Sequence, residues 1–86
     1  MSKQAYSVWC RDVVDELRRQ DALLFKKALD QAEADHGPPP GTGKARDLLE
    51  WLRGDEPSEL HDAGDTPSSY ADFLLGEYTL HGPRGE

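Results

Sequence analysis

Histidine, cysteine and carboxylate side chains are the residues of this chain whose types could do chemistry. A zinc site needs about four such ligands at characteristic short spacings. The histidines are His36, His61 and His81, and Cys10 is the single cysteine. Their spacing matches no zinc pattern, because each falls in a different predicted segment. We therefore predict no metal site and interpret the three histidines as solvated loop residues.

Paired carboxylates could supply a general acid and a general base. Such pairs occur at Asp15–Glu16, Asp55–Glu56 and Glu59–Asp62. Catalysis also needs an apolar pocket that shifts a pKa, or a nucleophile partnered by a base. Because no nucleophile or His/Asp pair accompanies these carboxylates, we predict a solvated acidic surface. The protein is accordingly predicted not to be an enzyme, with no catalytic residues and no cofactor.

The stretch His36-Gly-Pro-Pro-Pro-Gly-Thr-Gly-Lys44 has the composition of a phosphate-binding loop. It resembles the Gly-Pro-Pro-Gly-Thr-Gly-Lys-Thr loop of the AAA+ ATPases. The general motif, G-x-x-x-x-G-K-[ST], places its first glycine where Pro38 stands, and Gly37 lies one position too early. The motif also needs a hydroxyl after the lysine to hold Mg²⁺, but Ala45 follows Lys44. We predict a proline-rich connection that does not bind ATP.

The charge of the chain restricts its partners. Seventeen Asp and Glu oppose ten Lys and Arg, for a formal net charge of −7. Such a chain repels nucleic acid and anionic membranes unless a basic patch overrides its field. The basic residues are scattered, with Arg18–Arg19 and Lys26–Lys27 the only adjacent pairs, so we predict no such patch. The acidic surface suggests an alternative, imitation of DNA, although basic residues interrupt the negative charge.

The sequence also predicts the cellular compartment. The polar start lacks the apolar core of a signal peptide, and no apolar run approaches a membrane span. Cys10 has no partner for an internal disulfide and lies among apolar positions, which indicates a buried thiol in a reducing compartment. We predict a cytoplasmic protein that is not associated with a membrane.

The elements that must position these residues begin with an apolar stripe at helical spacing from Tyr6 to Ala34. Its members are Tyr6, Trp9, Cys10, Val13, Val14 and Leu17, followed by Leu24, Phe25, Ala28, Leu29 and Ala32. The polar Gln20–Asp21 step interrupts the stripe. Residues 5–35 therefore form either a helical hairpin, with Asp21 capping the second helix, or one long bent helix.

The remaining segments follow from prolines, glycines and caps. We predict a proline-rich connection over 36–42, a helix over 43–53, an acidic loop over 54–66 that leaves room for one helical turn at Ser58–His61, a helix over 67–78 and a frayed tail over 79–86. Thr42 and Thr66 are the predicted caps. The predicted fold is a single all-α domain over 1–86, a small bundle of three or four helices.

The predicted function is protein–protein interaction through helical faces, as an adaptor, inhibitor or accessory subunit. The candidate partner-binding residues are Trp51, Tyr70, Phe73 and Leu74, although the core is the favoured place for each of them. The alternative is an acidic DNA-mimic inhibitor of a nucleic-acid-binding protein or enzyme. The long stripe also allows a homodimer, in which a second copy completes the core.

Overall fold

The described part of the chain forms a bundle of four helices. A computed structural model describes residues 4–81, with only the backbone at Leu80 and His81. The helices are α1 (Tyr6–His36), α2 (Ala45–Arg53), α3 (Glu56–Ala63) and α4 (Pro67–His81). Residues 4–81 contain no strand, so the predicted all-α class is confirmed.

Helix α1 consists of two helical segments that meet at a kink at Asp21. The backbone of Asp21 is non-helical, with φ −158° and ψ 80°. Its Oδ1 accepts a hydrogen bond of 3.1 Å from the N–H of Leu24, which caps the second half of the helix. A straight helix of this length would span about 46 Å, whereas the longest dimension of the molecule is 39 Å. The polar step in the stripe is therefore a bend.

The core lies where α1 meets the other three helices. Helix α1 makes its most extensive contacts with α4. Buried side chains come from both halves of α1, with Leu49 from α2 and Tyr70, Ala71, Leu74 and Tyr78 from α4. Trp9, Val13 and Leu17 of the stripe are at most 3% exposed. The chain thus covers most of its own stripe, with Tyr6, Leu24 and Leu29 only partly buried.

Residues 54–66, predicted to be an acidic loop, contain helix α3 instead. Pro57 lies in the first turn of α3, and glutamates there suit the positive end of a helix. Gly64 ends the helix at φ 91°, and its N–H donates to the carbonyl oxygen of His61. The loop prediction was wrong because it rested on the small number of apolar residues, whereas the proline, the glutamates and the glycine all favour a helix. Buried Pro57 and partly buried Leu60 are enough to anchor the helix.

The two predicted threonine caps behave differently. Thr66 Oγ1 accepts a hydrogen bond of 3.1 Å from the N–H of Ser69, so the predicted start of α4 is confirmed. Helix α2 begins at Ala45, later than predicted, and its N-cap residue is Lys44 and not Thr42. Thr42 lies in the turn before the helix, where its Oγ1 donates a hydrogen bond of 2.6 Å to Asp47 Oδ2. Helix α4 continues to His81, so residues 79–81 are helical and not part of a tail. Residues 82–86 of that predicted tail lie outside the described residues.

Candidate functional site, a basic groove

A groove of about 680 Å³ runs between the first half of α1 and the segment that leads into α2. One wall carries Arg11, Asp15 and Arg18, which recur at helical spacing on α1. The other wall carries Lys44 and Arg46 at the start of α2. We call this site the basic groove.

The basic groove concentrates positive charge in an acidic protein. Four of the ten Lys and Arg side chains line it, together with one of the seventeen carboxylates, Asp15. The prediction that the scattered basic residues form no patch was therefore wrong. These residues are far apart in the sequence, but the packing of α2 against α1 brings them together in space. The positive end of the α2 dipole adds to the local potential.

The cations of the basic groove are weakly engaged by the rest of the protein. Among the described residues, Arg11 and Arg46 each form an ion pair with the carboxylate of the next residue, at 3.8 and 3.5 Å. Their side chains are 63% and 45% exposed, and exposed ion pairs of this kind contribute little free energy. Arg18 lies 5.8 Å from the ring centroid of Phe25. Lys44 forms no ion pair within residues 4–79, although its charge helps to lower the pKa of Asp47. These side chains are available to a ligand.

Apolar side chains form the floor of the groove. Val8 and Val14 come from α1, and Ala45 and Leu48 come from α2. Val14 is buried and the other three are partly buried. An occupant would therefore meet hydrocarbon at the base and cationic donors along both edges.

The wall formed by the connection is held in place by a short turn. Gly43 adopts φ 74°, a conformation that favours glycine. Thr42 Oγ1 accepts the N–H of Lys44 at 3.3 Å. The hydrogen bond that Thr42 donates to Asp47 also lowers the pKa of that carboxyl group. The connection follows helix α1, whereas a phosphate-binding loop follows a strand, so this wall lacks the structural context of the AAA+ motif.

The four predicted partner-binding residues lie outside the basic groove. Tyr70 and Leu74 are fully buried in the core, whereas Phe73 is 47% exposed. Trp51 is partly buried on α2, with its ring edge-on to His36 at 6.2 Å between centroids. Tyr70 and Phe73 stack at 6.3 Å. Of these four residues, only Phe73 and part of Trp51 offer apolar surface to a partner in the folded protein.

An aromatic cluster joins α1 to α3 and α4. The ring of Trp9 lies 5.5 Å from that of Tyr70 and 5.6 Å from that of His61. His61 also lies 5.3 Å from Tyr6, and a ring nitrogen is 2.8 Å from the carbonyl oxygen of Gln4. The His61 side chain is 14% exposed, so its interpretation as a solvated loop residue was wrong. His36 is exposed, and the side chain of His81 lies outside the described part of the chain.

The partly buried carboxylate of Glu56 contacts the aromatic cluster through Tyr70. Glu56 Oε1 accepts hydrogen bonds from Arg53 Nε at 2.7 Å and from the Tyr70 hydroxyl at 2.8 Å. Burial raises the pKa of Glu56, but these hydrogen bonds and the Arg53 charge outweigh it and leave the pKa below its ordinary value. Burial and the same carboxylate raise the pKa of Tyr70. The group has the character of a structural clamp between α2, α3 and α4.

Cys10 is fully buried, which confirms the predicted buried thiol. Burial raises its pKa to about 11, so the thiolate is disfavoured. In the part of the chain that the structure describes, no three His, Cys, Asp or Glu side chains are grouped to hold a metal ion. No described helix combines the length and apolar character needed to cross a membrane.

Comparison of the chain with protein-family models, with curated proteins and with solved structures found no match.

Proposed function

We propose that the protein is a protein-binding module and that its principal binding surface is the basic groove. The observation that carries this proposal is a preformed concavity with an apolar floor and weakly engaged cations on both edges. Protein interfaces combine an apolar centre with a polar rim in the same way. A small-molecule pocket encloses most of its ligand, whereas the exposed Arg11 and Arg46 leave this groove open.

A second candidate, the DNA-mimic inhibitor, draws support from α3. Asp55, Glu59 and Asp62 recur at helical spacing across this element, and all three are exposed. A helix of this length spans only about 12 Å, which is a short imitation of a phosphate backbone. This candidate requires a partner whose binding surface is basic and also binds duplex DNA.

A capture experiment in extracts of the source organism tests both candidates. Ser7 lines the basic groove, so Ser7→Trp should obstruct it, while Ser58→Trp places the same bulk on exposed α3. We expect the parent and Ser58→Trp to retain a common protein that Ser7→Trp does not retain. Melting curves of both variants would verify that the fold is kept.

Two results would contradict the proposal. Equal capture by the Ser7→Trp protein would remove the groove from the interaction. Loss of the partner on Ser58→Trp together with displacement by duplex DNA would favour the mimic instead, because such a partner competes with DNA and responds steeply to salt.

A further inference from the structure

We infer that the occupant of the basic groove is an acidic segment of another protein, with carboxylates that flank a large apolar side chain. This inference rests on the proposed function and names the chemistry of the partner. It depends on the positive charge of the groove's two walls and on the position of the apolar floor between them. Each of these properties can be read from the side chains that line the groove.

The charge argument begins with the four cations. Arg11 and Arg18 on one wall face the space shared with Lys44 and Arg46 on the other, and Asp15 is the only carboxylate among the lining residues. Carboxylates satisfy guanidinium groups with directional, charge-assisted hydrogen bonds. Arg11 and Arg46 already approach Asp12 and Asp47, but an occupant without negative charge would leave Arg18 and Lys44 without a carboxylate partner as it displaced water from them.

The floor argues for an apolar side chain between those carboxylates. Val8, Val14, Ala45 and Leu48 offer hydrocarbon contacts and no side-chain hydrogen-bond donor. A leucine or an aromatic side chain would gain free energy by burial there. Phosphates and sugars would not, so this floor favours a peptide over a nucleic acid strand.

The surroundings of the groove limit how long an anionic occupant can be. Carboxylates border both walls: Asp12 adjoins Arg11, Glu16 adjoins Asp15, and Asp47 adjoins Arg46. At physiological ionic strength, charges act over about 8 Å. A short acidic segment therefore meets mainly the cations, whereas a long polyanion would extend over the carboxylates and be repelled.

Selection from a library of random peptides tests the inference. Peptides of about twelve residues span roughly 40 Å when extended, which is long enough to cross the groove. The library would be selected on the immobilised parent protein, and the peptides retained would be sorted by whether Ser7→Trp abolishes their binding. We expect the groove-dependent peptides to be enriched in Asp and Glu around one large apolar residue.

Charge reversal then measures the electrostatic contribution with a selected peptide. The double variant Lys44→Glu/Arg46→Glu should weaken binding by about tenfold or more, because it reverses one wall. The matched control Lys26→Glu/Lys27→Glu changes the net charge equally at exposed positions that do not line the groove. We expect less than about threefold weakening there. Should the first variant fail to fold, Arg11→Glu/Arg18→Glu reverses the opposite wall.

The outcomes separate failure of the inference from failure of the proposed function. Groove-dependent peptides that are neutral or basic would overturn the acidic segment and leave a protein-binding groove. Selection of no groove-dependent peptide would overturn both. Single-stranded DNA or inorganic phosphate that bound the groove more tightly than any selected peptide would also overturn the inference, and would assign the cations to phosphate.

Discussion

The hydroxyl of Tyr70 allows the packing of α2, α3 and α4 to be tested by removing one atom. Tyr70 is fully buried, and its hydroxyl donates to Glu56 at 2.8 Å. Tyr70→Phe keeps the ring, with its stacking on Trp9, and deletes only this hydrogen bond. Hydrogen bonds to charged groups contribute about 1.5–3 kcal/mol when buried. The Glu56 side chain is 32% exposed and keeps Arg53, so we expect a loss of about 1–2 kcal/mol.

The measurement is urea unfolding of the parent, Tyr70→Phe, Glu56→Gln and the double variant. We expect a coupling free energy of about 1 kcal/mol between the two sites, because they share the hydrogen bond. In thermal melts the single change should lower Tm by about 4–8 °C for each kcal/mol.

Tyr78→Phe is the matched control. The Tyr78 ring is 7% exposed, and its buried hydroxyl has no hydrogen-bond partner of normal geometry among the described residues, although it interacts with the nearby charge of Arg53. Removal of this hydroxyl is expected to cost less than removal of the Tyr70 hydroxyl. If Tyr70→Phe is as stable as Tyr78→Phe, or if it shows no coupling to Glu56→Gln, the clamp does not hold these helices together.

Two further predictions follow from the same core. The pKa of Glu56 is lowered, so its contribution to the free energy of unfolding is fully present above the ordinary glutamate pKa and is lost as pH falls through the lowered value. The urea midpoint should therefore fall less steeply with decreasing pH for Glu56→Gln than for the parent. Leu74→Ala should cost about 2–5 kcal/mol because Leu74 is fully buried, whereas Phe73→Ala should cost about 1 kcal/mol because Phe73 is 47% exposed. Urea unfolding of the two alanine variants side by side would check this, and equal losses would contradict the burial argument.

Periodicity was sufficient to predict the scaffold of this fold. The stripe from Tyr6 onward predicts α1, because burial of one helical face demands apolar residues at that spacing. Asp21 was identified as the break, because its side chain can cap the helix that follows. Periodicity was insufficient for α3, where turn chemistry and a single proline outweigh the lack of an apolar face.

The basic groove could be predicted only in part. Arg11 and Arg18 are seven positions apart, which places them on one face of a helix, and this signal was available in the sequence. Lys44 and Arg46 join them only because the connection turns back at Gly43 and docks α2 against α1. Contacts between segments so far apart depend on tertiary packing, which local patterns do not encode. The same reason explains why His61, predicted to be a solvated loop residue, lies in the aromatic cluster.

The central position of α1 has a consequence for the time course of synthesis. Trp9 donates its indole N–H to the carbonyl oxygen of Asp65, a residue 56 positions later in the chain. At about 5–20 residues per second, the ribosome takes roughly 3 to 11 s to add that stretch. Throughout that interval the stripe of α1 lacks the helix that covers most of it, because α4 is made last of the four. A copy whose translation stops before α4 would lack Tyr70 and would leave exposed the side of Trp9 on which that ring stacks. Exposed apolar surface of this kind is what chaperones bind in incomplete chains.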